Sequence, residues 1–197
     1  MMDASRERRL LLSLTAQLLL AELSFTVLSI TDIYFISALG VEQVSAAGLI
    51  GALVNCLFLF SVGLLSAVEA VAARDYASRE RPERAVAALW AAGLVALSLG
   101  TFALLLALLV DVPRLLGVPA WLADGAQLYV LLIAAAFGLN ALLAAQWSWL
   151  ASIGRPSAVL PALAFGILLN AGLAGVLVQG QLGLPRLGLL GAGLASL

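Results

Sequence analysis

The chain is organised as long runs of apolar residues separated by short polar segments. Five of these runs are long enough to cross the hydrocarbon core of a bilayer, about 30 Å thick, which takes about 20 helical residues. A sixth apolar segment begins after Gly188 and is too short by Leu197 to cross the membrane, so we interpret the sequence as truncated within its sixth span. The predicted spans are about 10–36, 46–73, 85–110, 126–151 and 158–178, with the partial sixth at 188–197.

The apolar runs are continuous and rich in Leu and Ala, without the alternation that membrane barrel strands show. In lipid only helices and closed barrels satisfy every backbone hydrogen bond. The predicted fold class is therefore all-α, a polytopic transmembrane helix bundle with five full spans plus the start of a sixth. Small residues within the runs, among them Gly48, Gly51, Gly100 and Gly138, are predicted to let helices pack closely.

Composition agrees with this pattern. Hydrophobic residues make up 63% of the 197 residues and charged residues 11%. Soluble domains average about 45–50% apolar and about 25% charged residues. A small soluble domain must leave much of its surface facing water, so this composition indicates a membrane protein with lipid as its main partner.

The distribution of basic residues predicts the orientation in the membrane. All ten are Arg, and eight of them precede the first span or fall between spans two and three or four and five. The opposite side has only Arg114 and Arg186. Because short cytoplasmic loops carry an excess of basic residues, we expect a multi-pass protein of the inner (plasma) membrane with a cytoplasmic N-terminus.

The sequence offers little for metal or nucleophilic chemistry. It has no His, and its single Cys, Cys56, lies within an apolar run. The Arg residues are not interleaved with an aromatic platform, so we expect no nucleic-acid partner.

Three carboxylates fall within the predicted spans: Glu22, Asp32 and Glu69. An ionisable group at the centre of a span costs about 2.5–3.5 kcal/mol on insertion scales. Asp32 follows Thr31, which can donate a hydrogen bond to it; it is either a carboxylate that reaches headgroup water or a proton- or cation-binding group. Glu22 and Asp32 are separated by about 280° around a helix, so they do not share one face.

Asn170 is a lone amide within the fifth span. An amide in hydrocarbon needs hydrogen-bond partners, so its side chain should face other helices. The position of Asn170 in the sequence is compatible with a structural link between helices as well as with a functional group.

The order of these features resembles the multidrug and toxic compound extrusion (MATE) family of antiporters. The first span carries an Asp followed by Leu-Gly, and the second ends in an Ala-Ala-Arg exit. A Gly-Arg-Pro turn, a fifth-span Asn and a Gly-Ala-Gly-Leu-Ala-Ser run follow in the family's order. These motifs lie at 30–40, 61–74, 153–156, 168–170 and 191–196.

The resemblance implies a twelve-helix protein of two lobes that expels organic cations in exchange for Na⁺ or H⁺. Residues 1–197 would form its N-lobe. The family's N-lobe ion site maps onto Asp32, Asn170 and Ser196, with Asp32 and Asn170 as ligands if the ion is Na⁺. The resemblance implies no catalytic residue, no other metal and no cofactor besides the coupling ion, so we expect the protein not to be an enzyme.

Three features depart from the family pattern. Ala174 stands where members often have a second Asp or Asn, four residues after the fifth-span Asn. Glu69 stands where they usually have a neutral residue, and the Pro common early in the first helix is missing at 15–17. These departures leave the coupling ion open and make Glu69 a possible substitute carboxylate; Glu22, deeper in the first span, is a further candidate.

The partners implied are membrane lipid, a small lipophilic cationic substrate, and a missing C-lobe or partner chain. Two alternatives stay open. One is a flippase for lipid-linked saccharides from the same superfamily, disfavoured because every Arg maps to a loop or interface. The other is a non-transporting fragment or assembly partner, favoured by the incomplete sixth span.

Overall fold

The computed structural model describes residues 4–78, 82–183 and 185–197. The regular elements in these ranges are all helical, which confirms the predicted fold class. Short 3₁₀ turns at Pro156–Val159 and Gln181–Gly183 precede and follow the sixth helix. The α-helices are α1 (Ala4–Ser37), α2 (Val41–Ser78), α3 (Pro82–Leu109), α4 (Val112–Leu115), α5 (Ala120–Ser152), α6 (Leu160–Gln179) and α7 (Leu189–Ala195).

Five helical segments are long and apolar enough to cross a membrane. Their outer surfaces carry many exposed Leu, Ile, Val and Phe side chains, as expected for helices solvated by lipid. The longest, in α5, measures about 50 Å at 1.5 Å per residue and therefore exceeds the hydrocarbon core. The apolar segments are Leu11–Ser37, Val41–Ala67, Val86–Leu109, Ala120–Ser152 and Pro156–Gln179.

Tight turns join successive spans. Gly40 has a φ of +114° between α1 and α2, and Gly154 has a φ of +77° after α5. This left-handed backbone favours glycine because it lacks a Cβ. After Gly154, the Arg155 N–H donates to the Leu150 carbonyl at 2.8 Å, and Pro156 starts the next turn. The Gly-Arg-Pro segment thus reverses the chain between α5 and α6.

Helix α5 lies at the centre of the bundle, in contact with α2, α3 and α7. Gly100 of α3 and Gly138 of α5 lie against each other where these helices cross. A Cβ on Gly138 would lie 3.2 Å from the Gly100 Cα, and one on Gly100 would overlap the Gly138 main chain. The prediction of close packing was wrong for Gly48 and Gly51, because neither has a neighbour within 4 Å of its Cβ position.

A glutamine of α5 closes the end of α3. Gln127 Nε2 donates to the carbonyls of Ala107 at 2.6 Å and Val110 at 3.1 Å. Its Oε1 accepts from the Val112 N–H at 3.2 Å. The last carbonyls of a helix lack intrahelical partners, so this one side chain satisfies groups that would otherwise face lipid or headgroups.

Helices α6 and α7 meet without intervening side chains. The Leu187 N–H donates to the Leu177 carbonyl at 3.0 Å. A Cβ on Gly191 would lie 2.6 Å from that same carbonyl oxygen, so only glycine allows α7 to approach so closely. Helix α6 also packs on α1, and these contacts bring α1, α6 and α7 together.

Candidate functional site

Asp32 lies on the face of α1 that packs against the rest of the bundle. Ala21 and Ile36 share this face at helical spacing and are buried, with 0% and 4% of their surfaces exposed. The Asp32 side chain is half-buried. A carboxylate at this position points between helices.

Asn170 of α6 donates to Asp32. The amide is 4% exposed, and its Nδ2 lies 3.1 Å from Asp32 Oδ1 and 3.1 Å from the Ala195 carbonyl oxygen. Ala195 is the last residue of α7. Asn170 Oδ1 is buried and has no hydrogen-bond partner within the described ranges.

Ser196 follows α7 directly and completes the cluster. Its Oγ lies 3.3 Å from Asp32 Oδ2 and 3.0 Å from the Ala192 carbonyl oxygen. A hydroxyl carries one proton, so at any moment it donates to only one of these acceptors. The side chain can therefore change partner without moving far.

The structure thus brings Asp32, Asn170 and Ser196 together from three different helices, α1, α6 and α7. It does not bring Glu22 to them: the Glu22 side chain is exposed on another face of α1. Helix α2 passes through position 69, but the side chain of Glu69 lies outside the described residues. Ala174 is 1% exposed in the apolar core and supplies no polar group.

Tyr129 of α5 is a neighbour of this site that the sequence reasoning missed. It is 7% exposed and packs with Ala174, Leu189 and Ala195 in the main core cluster. The signal that could have found it is an aromatic hydroxyl in line with small residues on the inner face of a span.

The chemistry of the cluster is that of hard oxygen donors. Among the described residues, the hydrogen-bond partners of Asp32 are an amide and a hydroxyl; both are neutral, so neither balances its charge. A carboxylate, a hydroxyl, an amide oxygen and a main-chain carbonyl are ligands suited to hard cations or to proton relay. Within the described residues, no group of three or more His, Cys, Asp or Glu side chains could hold a metal ion.

A five-span helical bundle with a half-buried carboxylate between its helices is the architecture of a membrane transport protein. The MatE family model matches residues 18–176, so the chain belongs to the MatE family.

Named relatives agree with this assignment. The chain is 32% identical over 192 residues to a probable multidrug resistance protein NorM of Bradyrhizobium diazoefficiens, covering 94% of the chain and 40% of the relative. It is 29% identical over 194 residues to a protein of the same name from Pseudomonas aeruginosa, with coverage of 96% and 39%. The chain therefore spans about two-fifths of the length of these relatives.

Solved structures share the fold. An outward-facing multidrug resistance MATE family transporter of the MOP superfamily superposes with a TM-score of 0.81 at 19% identity, covering 95% of this chain and 41% of that one. A MOP superfamily transporter from Pyrococcus furiosus gives 0.78 at 20% identity, with the same coverage. The family resemblance inferred from the sequence motifs is confirmed.

Proposed function

We propose that the chain is the N-terminal lobe of a secondary antiporter that exports lipophilic organic cations in exchange for H⁺ or Na⁺. The observation that carries the proposal is the Asp32 carboxylate, held between helices by two neutral donors, Asn170 and Ser196. The multidrug names of the relatives support export of drugs.

Neutralisation of Asp32 would change the contacts that join three helices. An ionised Asp32 accepts from both Asn170 and Ser196. If a proton neutralises the carboxylate, the Ser196 hydroxyl can return to the Ala192 carbonyl. A protonated Asp32 can also donate to Asn170 Oδ1 once the amide rotates. Each change loosens or reverses a link from α1 to α6 or α7, which is how ion arrival would bias the packing of the lobe.

Sodium would use the same oxygens in another way. Asn170 would rotate so that Oδ1, which has no partner among the described residues, faces the ion with the Asp32 carboxylate and the Ala195 carbonyl. Ser196 would add a hydroxyl oxygen. H⁺ and Na⁺ would therefore use the same residues, and a transport measurement distinguishes which of them is the coupling ion.

Transport by alternating access needs a second structural repeat against which this lobe can move. The relatives are about two and a half times as long as this chain, which leaves room for such a repeat. We therefore propose that a C-lobe, within one polypeptide or on a partner chain, completes the transporter. The lobe would lie in the inner membrane with its N-terminus in the cytoplasm, as the Arg distribution favours.

The test uses the protein made from its native reading frame, reconstituted into liposomes loaded with ethidium. An imposed proton gradient and an imposed Na⁺ gradient are applied separately, and ethidium release is followed by fluorescence. We expect one of the gradients to accelerate release, and that gradient identifies the coupling ion. If neither gradient changes the release rate relative to empty liposomes, the antiporter proposal is wrong.

A further inference from the structure

The outward surface of the middle of α1 carries two strips of different chemistry. At 100° per residue, Thr15, Glu22, Thr26 and Ser29 fall within an arc of about 60°, and we call this set the polar strip. Beyond its two ends the same arc continues with the exposed Leu11 and Ile33. Leu12, Leu19, Leu23 and Ile30 fall within a neighbouring arc of about 40°, the apolar strip. All eight side chains are exposed.

The apolar strip is suited to lipid, and the polar strip is not. Glu22 lies about 16 Å along the helix from Leu11 and about 22 Å from Ser37, the two ends of the apolar segment. A glutamate side chain is too short to reach headgroup water from this depth. A carboxylate facing hydrocarbon there would be costly, so the polar strip must face water or protein.

Among the described residues, the Glu22 carboxylate has no hydrogen-bond or ion-pair partner. Thr26 Oγ1 donates to the Glu22 main-chain carbonyl at 3.1 Å and not to the carboxylate. The ion pairs within the described ranges join Arg114 to Asp111 and Asp124, far from this strip in the sequence. The Glu22 charge is therefore available to a cation from outside the described part of the chain.

A second helix also has a face unsuited to lipid. Asn55 is exposed in the middle of the apolar segment Val41–Ala67 of α2, and Gly51 and Gly48 are exposed about one and two turns before it. An amide facing hydrocarbon is also unfavourable, at a lower cost than the Glu22 carboxylate. Both α1 and α2 therefore carry surfaces that fit the wall of a water-filled cleft.

We propose that Glu22 is a specificity-determining residue: its carboxylate lines a water-filled cleft and contacts the positive charge of the transported cation, apart from the Asp32 site. This inference rests on the proposed function. Leu19 and Leu23, exposed by 58% each, flank Glu22 on the apolar strip. A carboxylate beside exposed leucines fits a cargo with one positive charge on an apolar body.

The arrangement places cargo and coupling ion on different faces of one helix. Measured the shorter way, Glu22 and Asp32 are about 80° apart around α1, and they are about 15 Å apart along its axis. They cannot share one ligand, so Glu22 would select the cargo while Asp32 binds the ion. A shift of α1 driven by the ion at Asp32 would then move the cargo contact directly.

The first test measures which strip is in contact with water. The native thiol is removed by Cys56→Ala, and Glu22→Cys, Thr26→Cys and Leu23→Cys are introduced singly into protein made from its native reading frame. The cationic thiol reagent MTSET is expected to label positions 22 and 26 at least about tenfold faster than position 23. Tetraphenylphosphonium should slow labelling at position 26, where the Glu22 carboxylate is intact. Equal labelling at all three positions, or labelling at position 26 that tetraphenylphosphonium does not slow, would overturn the inference.

The second test measures the charge. Glu22→Gln is expected to raise the KM for tetraphenylphosphonium efflux roughly tenfold with little change in kcat, because a charge contact about 4 Å long in a partly solvated site is lost. Glu22→Asp should recover most of the affinity. The matched control is Glu42→Gln, an exposed carboxylate in the first turn of α2, which should leave the KM unchanged.

The outcomes separate this inference from the proposed function. If the unmodified protein transports no cation, the antiporter proposal fails, and this inference fails with it. If it transports tetraphenylphosphonium and Glu22→Gln leaves the KM unchanged, only the inference is wrong. If Glu22→Gln fails to accumulate while Glu22→Asp accumulates, Glu22 pairs with a basic group elsewhere in the assembly, and the inference is also overturned.

Discussion

Helices α1 and α5 are of similar length, but the bundle uses them differently. In an apolar stretch of 18 residues, 6% of the residues of α1 are buried, against 44% in α5. Two amides of α5 serve the scaffold: Gln127 closes the end of α3, and Asn140 donates to the Ala136 carbonyl at 3.1 Å. In the apolar segment of α1, Asp32 instead lies in the candidate ion site and Glu22 on the exposed surface.

This difference shows how two membrane helices of one length support two roles. Substitutions on the packed faces of a central helix are costly, because interiors are dense and respond to each added methyl group. A helix held along a single face by a few hydrogen bonds can shift when those bonds change. We expect substitutions in α5 and its neighbours to change stability, and substitutions around Asp32 to change transport.

The largest expected effect on stability is at the crossing of α3 and α5. Gly100→Ala places a Cβ against the Gly138 main chain and should lower the free energy of unfolding by about 3 kcal/mol, the upper range for overpacking. The matched control is Gly51→Ala on the open face of α2, which should be neutral or stabilising by up to about 1 kcal/mol. Thermal unfolding in detergent measures both. Equal effects of the two variants would contradict the central position of α5.

The next effect is expected on transport. Asn170→Ala removes the donor shared by Asp32 and the Ala195 carbonyl, and hydrogen bonds to charged groups are worth about 1.5–3 kcal/mol. We expect efflux to fall by about 10- to 100-fold in a dye-release assay while the protein still accumulates in the membrane. A variant that transports normally would show that Asn170 is only a structural link.

A smaller effect is expected at the end of α3. Gln127→Ala removes the side-chain donor of the Ala107 carbonyl and one of two bonds at the Val110 carbonyl and the Val112 N–H, which also bond each other at 3.0 Å. Headgroup water can replace part of the lost bonding. The expected loss of stability is about 2 kcal/mol, with efflux per folded molecule unchanged. Gln146→Ala, an exposed amide on the same helix, is the control and should be neutral. Melting temperatures that do not differ would refute the closing role of Gln127.

The smallest effect concerns the hydroxyl of the site. Ser196→Ala removes one 3.3 Å contact to Asp32, a net contribution of about 1 kcal/mol, so efflux should fall about fivefold. Ser196→Thr keeps the hydroxyl and should retain most of the activity. A threonine variant as impaired as the alanine variant would mean that the space at this position matters and the hydroxyl does not.

The sequence predicted the helices because lipid imposes a length. The predicted first span of 10–36 falls inside α1, and the second of 46–73 inside α2, yet α2 extends from Val41 to Ser78. The length of an apolar run reflects the thickness of the bilayer. The helix itself can be longer, because it continues as long as its backbone hydrogen bonds are satisfied. The helix Val112–Leu115 was not predicted, since four residues carry no periodic signal.

The site was predictable only in part. The grouping of Asp32, Asn170 and Ser196 came from the family resemblance, because no pattern within the chain relates positions 138 and 164 residues apart. Tyr129 and Gln127 were missed for the same reason: their roles depend on which helices become neighbours. The polar strip of α1 is visible in the sequence, but its meaning depends on which of its residues the fold leaves exposed.

The central claim is that Asp32 couples an ion to transport. The most direct measurement compares unmodified protein with Asp32→Asn in gradient-driven ethidium release from liposomes, after equal amounts of folded protein have been confirmed. Asn keeps the size and hydrogen-bonding capacity of the side chain but cannot hold a proton or balance a cation. The account predicts that the gradient no longer accelerates release in the variant. Release that still responds fully to the gradient would contradict it.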